Sequence, residues 1–286
     1  MIPREARLAH LATLQAIFDG APGDLGALVA ACRAHLADGA EAELLARVPE
    51  GIAVLEALSP ADRAAVRTVL ATLTSGMVFD LTTFPGEDAA QLAALETLED
   101  LDHYTYLVAG CVGEFWTVIH AAHRPRLARW NVGRMRHDGV RFGKALQMTN
   151  VLRDVPRDLR QGRCYIPARE LASCGLVPAD LLDPSAMPKL RPLYQSLLAL
   201  AREHYSAAWD YTFAIPQREW RMRLACAWPL LIGEATIAAL ARHANPLAAR
   251  EPVKISRPAV RSIVARSTIA VWSNAMLARE AARQHR

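Results

Sequence analysis

The sequence predicts an all-α protein, because its composition favours helices and its apolar residues recur at helical spacing. Alanine and leucine dominate a chain of 286 residues that is 52% hydrophobic, and runs of β-branched residues are scarce. In the first segment Leu8, Leu11, Leu14 and Ile17 recur at the spacing of one helix face. The length allows a large core, and without internal repeats or composition shifts we expect one domain over residues 1–286.

Breaks and capping residues divide the chain into predicted helices. The sequence GAPG at residues 20–23 interrupts the pattern. Ser59 is a favourable N-cap, and Pro60 suits the first turn of a helix that Pro85 and Gly86 end. The predicted helical segments are residues 4–19, 24–47, 60–84, 88–120, 125–155, 189–214 and 218–243, with a short helix and turn over 168–183 and a last helix opening near Arg257.

Charge and cysteine use narrow the class of protein. The net charge is +4 without clusters, which does not indicate a nucleic-acid partner. The five cysteines lack metal-ligand spacing and the N-terminal sequence lacks a secretion signal, so we expect reduced thiols in the cytoplasm. The longest apolar run, residues 225–241, contains Pro229 and Glu234, and we interpret it as a buried core helix.

A polar stripe in residues 143–167, GKALQMTNVLRDVPRDLRQGRCYIP, is the main chemical feature of the predicted helices. Asn150, Asp154 and Asp158 are four positions apart, so their side chains would lie one above another on a helix. Two carboxylates and an amide oxygen make the hard-oxygen site that Mg²⁺ prefers. In such a site the ion usually keeps waters and binds the phosphate oxygens of a substrate.

Four arginines crowd the same segment: Arg153, Arg157, Arg160 and Arg163. Carboxylates beside arginines indicate a metal-bridged diphosphate, with guanidinium groups completing the anion site. Pro156 lies between the two aspartates, and it predicts that the helix kinks or ends there with RQGRCYIP as a loop over the site. The alternative is a solvated helix end with ion pairs between residues four apart.

Two segments resemble those of a known family. Residues 146–167, LQMTNVLRDVPRDLRQGRCYIP, resemble the second aspartate-rich motif and adjoining flap of the squalene and phytoene synthases. Residues 102–113, DHYTYLVAGCVG, resemble that family's tyrosine-bearing helix, Y-x-x-x-V-A-G-x-V-G, and the resemblance runs from about residue 70 to about residue 270. It implies the class I isoprenoid (terpenoid) synthase fold, an all-α helical bundle around a central cavity.

The resemblance also implies roles for individual residues. Asn150, Asp154 and Asp158 match ligands of Mg²⁺, which acts as a Lewis acid on the diphosphate. Tyr104 matches the family tyrosine near the reacting carbocation, which a phenol can stabilise, whereas the alternative is a core tyrosine. The residues expected to contact the substrate or its departing diphosphate are Gln147, Asn150, Arg153, Arg163, Cys226 and Pro229.

Two further segments favour squalene synthase over phytoene synthase. Residues 218–243 resemble the cavity-lining helix of squalene synthases at Cys226 and Pro229. Residues 252–257, PVKISR, resemble the V-K-I-x-x-basic stretch that holds the NADPH phosphate, although Ser256 stands at one basic position. The expected cofactor-binding residues are Arg153, Lys254 and Arg257. The alternative is an ordinary basic loop that opens the last helix.

The expected reaction is the Mg²⁺-dependent condensation of two farnesyl diphosphates through presqualene diphosphate, followed by reduction with NADPH to squalene. Its hydrocarbon product gives reason to expect peripheral contact with the membrane. The alternatives are phytoene synthase, presqualene diphosphate synthase and a non-catalytic helical scaffold. The family's first aspartate-rich motif has no counterpart here, since Asp19 and Asp24 are five apart in a Gly/Pro turn. We therefore expect an N-terminally truncated family member.

Overall fold

The computed structural model describes residues 3–20, 24–34 and 39–284, except for the side chain of Glu41. These residues are helical almost throughout, which confirms the predicted all-α class. They form two compact units, Met1–Thr82 and Thr83–Arg286. The expectation of one domain over the whole chain stays a prediction.

The first unit consists of helices α1 (Arg4–Phe18), α2 (Leu25–Arg33), α3 (Ala40–Ala46), α4 (Val48–Ala57) and α5 (Pro60–Thr83), the last of which ends one residue into the second unit. Helix α1 is tied to α5, because Arg4 Nε donates to the carbonyl of Leu81 over 2.9 Å. The single helical pattern predicted for residues 24–47 is two helices. Gly20 adopts a φ of +84°, as a break requires, and the rest of the predicted GAPG break lies outside the described residues.

Helix α4 falls between the predicted helical segments 24–47 and 60–84, and its sequence, VPEGIAVLEA, contains Pro49 and Gly51, which disfavour a helix interior. Pro49 lies in the first turn, where a backbone N–H has no intrahelical acceptor and its absence costs nothing. Ser59 opens α5 as predicted: its Oγ accepts from the backbone N of Asp62 over 3.2 Å.

The second unit contains eight further α-helices among its described residues. They are α6 (Leu98–Thr105), α7 (Cys111–His123), α8 (Val132–Arg160), α9 (Ala168–Ser173), α10 (Met187–Ala214), α11 (Trp220–Arg242), α12 (Arg257–Ala270) and α13 (Asn274–Gln284). A π-helical turn, Tyr106–Gly110, joins α6 to α7. Helix α8 is central and packs against α7, α10 and α11.

The two helices that carry the motifs begin later than predicted, because side chains cap them at other positions. Thr97 and Asp100 form a reciprocal capping box, so the tyrosine helix begins at Leu98 instead of residue 88. The Asn131 side chain accepts from Arg134 N over 3.1 Å and starts α8 seven residues after the predicted position.

The helix does not end at Pro156, since α8 continues to Arg160, two residues beyond Asp158, and the predicted kink stays a prediction. Proline has no N–H and cannot donate to the carbonyl four residues earlier, which is that of Leu152. In this protein the hydroxyl of Tyr194 on α10 donates to that carbonyl over 2.9 Å. A side chain from a neighbouring helix therefore replaces the missing backbone donor.

Glycines allow α7 and α8 to cross with their backbones in contact. A Cβ on Gly113 would collide with the carbonyl of Gly139, and a Cβ on Gly143 would collide with that of Ala109. The glycines of VAGCVG thus serve close packing of the motif helix on α8.

Two described helical segments, Pro60–Thr83 and Gln217–Arg242, are long and apolar enough to cross a bilayer by length and composition alone. In the second, 61% of the apolar window is buried inside the protein, in agreement with its interpretation as a core helix. Peripheral membrane contact and a cytoplasmic location stay predictions.

Candidate active site

An apolar cavity of about 370 Å³ lies in the second unit, against α8. Its volume falls in the range of ligand pockets, about 300–1,000 Å³. Two polar side chains of α8, Gln147 and Asn150, line it at the point where the predicted metal stripe begins. The other lining residues are Val108, Ala109, Val112, Gly113, Trp116, Gly139, Phe142, Gly143, Leu146, Tyr211, Ala225 and Cys226. The arrangement suits an apolar ligand with a polar end.

Helix α8 carries the polar stripe away from this cavity. Asn150, Asp154 and Asp158 all lie on α8, as predicted, over a rise of about 12 Å. The side-chain nitrogen of Asn150 donates to Gln147 Oε1 over 3.3 Å. The side-chain oxygen of Asn150, the atom that would bind a cation, takes no part in this hydrogen bond. One helix thus connects an apolar cavity to a row of oxygen donors.

Arg153 is paired with the first aspartate of the stripe. Its Nε donates to Asp154 Oδ1 over 2.8 Å and its Nη2 donates to Asp154 Oδ2 over 2.6 Å. This two-bond contact raises the pKa of the Arg153 guanidinium. A cation that binds Asp154 must therefore share this carboxylate with Arg153 or displace the guanidinium from it. Arg153 then lies beside any anion that is bound to the cation.

The second aspartate lies in a narrow cleft with the flap. Asp158, Arg163 and Tyr165 line this cleft together. The predicted loop is held in place, because Arg163–Cys164 forms a short parallel strand, β2, with β1 at Ala93–Ala94. The structure therefore brings Asp158 and Arg163 together, as an anion site beside a metal requires.

Tyr104 is connected to this cleft by the ring of Tyr165, which lines it. It is buried, and it stacks on Tyr165 with ring centroids 4.7 Å apart and planes 23° apart. Tyr104 is not among the residues that line the large cavity. It lies instead against Tyr165, a flap residue that lines the narrow cleft together with Arg163, and sequence reasoning missed this contact.

The oxygen donors on α8 fit Mg²⁺ bound together with a diphosphate. Among residues 3–20, 24–34 and 39–284, no group of three or more His, Cys, Asp or Glu side chains could hold a metal ion by itself. Mg²⁺ needs fewer protein ligands, because it usually binds through one or two carboxylates and completes its shell with waters and substrate phosphates. Asp154 and Asp158, with the amide of Asn150, supply such a partial set.

Only the start of the segment expected to bind NADPH lies near this site. Lys254 and Arg257 are exposed, and Ser256 accepts from Ala259 N over 3.3 Å as the N-cap of α12. The start of the segment does approach α8, because Pro252 lines a small cleft with Arg153 and Asp154. The other residues of that cleft are Pro156, Arg157, Arg160, Ala249, Arg250 and Glu251.

Arg250 is therefore a basic residue near the stripe that sequence reasoning missed. It lies just before the PVKISR motif, and only the fold of the loop brings it to α8.

The two residues singled out on α11 have different positions. Cys226 lines the cavity, and burial raises the pKa of its thiol to about 12, so it is a neutral apolar wall. Pro229 is half-buried within α11 and is not among the cavity-lining residues. The structure thus supports a cavity position for Cys226 alone.

A buried polar cluster lies behind α8. The hydroxyls of Thr149 and Tyr205 are 2.7 Å apart, and Gly233 of α11 gives the tyrosine hydroxyl room, since a Cβ there would collide with it. Next to Gly233, Glu234 is buried in the neighbourhood of Trp209. Burial raises the pKa of Glu234 to about 7 from an ordinary 4.5.

We expect Glu234→Gln to flatten the pH dependence of stability. The pKa of Glu234 is higher in the folded state than in the unfolded state. Its contribution to the free energy of unfolding is therefore fully present below the unfolded-state pKa and is lost as pH rises through about 7. A shift of this size corresponds to about 3 kcal/mol between pH 4.5 and pH 8. Urea unfolding at both pH values should show this loss in the wild type and little of it in Glu234→Gln. The exposed Glu203→Gln is the control, and an equal pH slope in both variants would refute the assignment.

Comparison with known proteins agrees with this fold. The family model for squalene/phytoene synthase matches residues 4–259. The chain is 33% identical to the phytoene synthase of Arthrospira platensis over 130 residues, which are 43% of this chain and 42% of that protein. The chain thus spans less than half the length of this curated relative.

Two solved structures are similar in fold. The ligand-bound structure of TcSQS has a TM-score of 0.74 and 22% identity, and the match covers 99% of this chain and 76% of that one. The squalene synthase HpnC of Alicyclobacillus acidocaldarius has a TM-score of 0.53 and 21% identity, with 82% and 80% covered.

The all-α bundle is therefore an isoprenoid synthase fold, as predicted. Within that class, the chain belongs to the squalene/phytoene synthase family, whose members are prenyltransferases that condense isoprenoid units head to head.

Proposed function

We propose that the protein is an Mg²⁺-dependent prenyltransferase that joins two prenyl diphosphates head to head. The observation that carries this proposal is the continuity of α8, which lines an apolar cavity at Asn150 and presents Asp154 and Asp158 further along. A prenyl chain in the cavity would place its diphosphate at these oxygens. The surrounding arginines match the charge of that diphosphate.

Each group in the site has a chemical role in this proposal. Asn150, Asp154 and Asp158 would hold Mg²⁺, which supplies Lewis acidity at the diphosphate. Arg163, in the cleft with Asp158, and Arg153 bind the departing anion through charge-assisted hydrogen bonds. The apolar wall keeps water from the allylic cation, which water would otherwise convert to an alcohol.

Within this class we propose squalene synthase activity. Two molecules of farnesyl diphosphate would give presqualene diphosphate, and NADPH, when bound, would supply the hydride that leads to squalene. Cys226 on the cavity wall and the approach of Pro252 to Asp154 support this choice, because both belong to segments that resemble squalene synthases. Lys254, Arg257 and Arg250 are the basic residues available for the NADPH phosphate.

Phytoene synthase activity is the second candidate, and the similarity to the Arthrospira platensis enzyme favours it. This reaction takes a longer prenyl diphosphate and needs no reductant. A presqualene diphosphate synthase would stop before the reductive step.

Product analysis distinguishes these activities. The protein is incubated with Mg²⁺ and either farnesyl or geranylgeranyl diphosphate, with and without NADPH, and the extracts are analysed by mass spectrometry. Squalene that forms only with NADPH supports the proposal. Presqualene diphosphate that accumulates regardless of NADPH, or phytoene from the longer substrate, supports the corresponding alternative. No Mg²⁺-dependent product from either substrate would contradict the whole proposal and leave the scaffold reading.

We expect Tyr104→Phe to lower kcat by about 10²-fold with little change in KM. The ring should keep its stack on Tyr165, so only the hydroxyl is lost, and a group that acts on the ionised state affects the transition state selectively. Steady-state kinetics with farnesyl diphosphate give both constants, and Tyr106→Phe, which removes a hydroxyl that donates to Glu114 outside the site, is the matched control. A raised KM with normal kcat would show that the hydroxyl only positions substrate.

A further inference from the structure

The metal stripe runs through a proline. Pro156 lies midway between Asp154 and Asp158, and α8 nevertheless continues to Arg160. Without an N–H on Pro156, the carbonyl of Leu152 has no donor in its own helix, and the proline ring also crowds that carbonyl. Leu152 is fully buried, so water cannot replace the missing donor.

The donor comes from Tyr194 on α10. Its hydroxyl donates to the Leu152 carbonyl over 2.9 Å, and its side chain is only 1% exposed. Burial raises the pKa of this phenol, so it keeps its proton at physiological pH. The contact joins residues 42 positions apart in the chain and fixes α8 two residues before Asp154.

We propose that Tyr194 is a positioning residue for the metal stripe. Its hydroxyl replaces the backbone donor that Pro156 lacks, and it thereby keeps Asp158 in line with Asp154 so that both serve one cation and its diphosphate. This inference rests on the proposed function, because the alignment of Asp154 with Asp158 matters only if the two carboxylates bind one cation.

The alternative is that Tyr194 only fills the core. The two roles differ in their dependence on Pro156. If the hydroxyl substitutes for a missing N–H, a residue at position 156 that has an N–H makes the hydroxyl dispensable. If Tyr194 only fills space, the residue at position 156 does not change the effect of removing the hydroxyl.

The test compares the wild type, Tyr194→Phe, Pro156→Ala and the double variant. Calorimetry measures the binding of inorganic diphosphate in the presence of MgCl₂. We expect Tyr194→Phe to weaken binding about tenfold, whereas Pro156→Ala and the double variant bind as the wild type does. Tyr205→Phe is the matched control: it removes another buried hydroxyl of α10, one that is bonded to the Thr149 side chain, so Pro156→Ala should not rescue it.

Two results would overturn the inference alone: wild-type binding by Tyr194→Phe, or weakened binding that persists in the double variant. If the wild type itself does not bind diphosphate with Mg²⁺, the proposed function and the positioning role both fail. If Tyr194→Phe does not fold, the double variant decides, because recovery of folding and binding supports the replacement of the donor. Failure of the double variant to fold would contradict it.

Discussion

Asp154→Asn and Asp158→Asn should each lower Mg²⁺-dependent prenyl transfer by about 10³-fold or more. Lewis-acid stabilisation of the departing diphosphate contributes several kcal/mol, and each 1.4 kcal/mol is about a factor of ten in rate. Asparagine keeps the shape of the side chain but removes the charge that holds the ion. Activity is measured with farnesyl diphosphate at saturating Mg²⁺.

The fold should survive both substitutions, because these carboxylates serve the ion and not the core. Asp154→Asn removes the charge and one of the two acceptors that bind Arg153, in a part-exposed pair of modest worth to stability. Asp210→Asn, at an exposed position of α10, is the control and should keep full activity. Unchanged turnover in either site variant would refute the metal assignment.

Arg223→Met should destabilise the second unit by about 3–5 kcal/mol. Arg223 is fully buried and donates to four neutral oxygens: Val271 O over 2.9 Å, Ile215 O over 2.6 Å, Thr212 O over 3.4 Å and Asn274 Oδ1 over 2.6 Å. It joins the end of α10 to the turn between α12 and α13. Methionine fills similar space without donors, and each buried acceptor left unsatisfied costs about 1–3 kcal/mol.

The loss would be a large share of a typical stability of about 5–15 kcal/mol. Urea unfolding at neutral pH measures it. Arg221→Met is the matched control, because Arg221 is exposed and lies over the Trp220 ring at 4.6 Å, a contact worth about 0.5–1 kcal/mol. Equal midpoints for the two variants would show that the buried guanidinium has no structural role.

Local sequence patterns predicted most of the helices and the stripe, because both depend on spacing within one element. Asn150, Asp154 and Asp158 lie on one helix as their four-residue spacing requires. The helix end predicted at Pro156 was wrong, because the continuation of the helix depends on a contact between two helices. The donor that lets the helix continue is Tyr194, and no local pattern reports a contact from a distant helix.

The same limit explains the other differences at the site. The stacking of Tyr104 on Tyr165 and the approach of Arg250 to α8 depend on how loops fold back, which a single sequence does not encode locally. Glu234 was noted only as a charge in an apolar run. That position was itself a signal, because a carboxylate in a buried helix must be paired or have a raised pKa.

The central claim is that α8 binds a prenyl diphosphate through Mg²⁺ at Asp154 and Asp158. Its most direct test is calorimetric binding of farnesyl thiodiphosphate, an unreactive analogue, to the wild type and to the Asp154→Asn/Asp158→Asn variant. We predict binding by the wild type that requires Mg²⁺ and is lost in the variant. Equal affinity without Mg²⁺, or in the variant with Mg²⁺, would contradict the account.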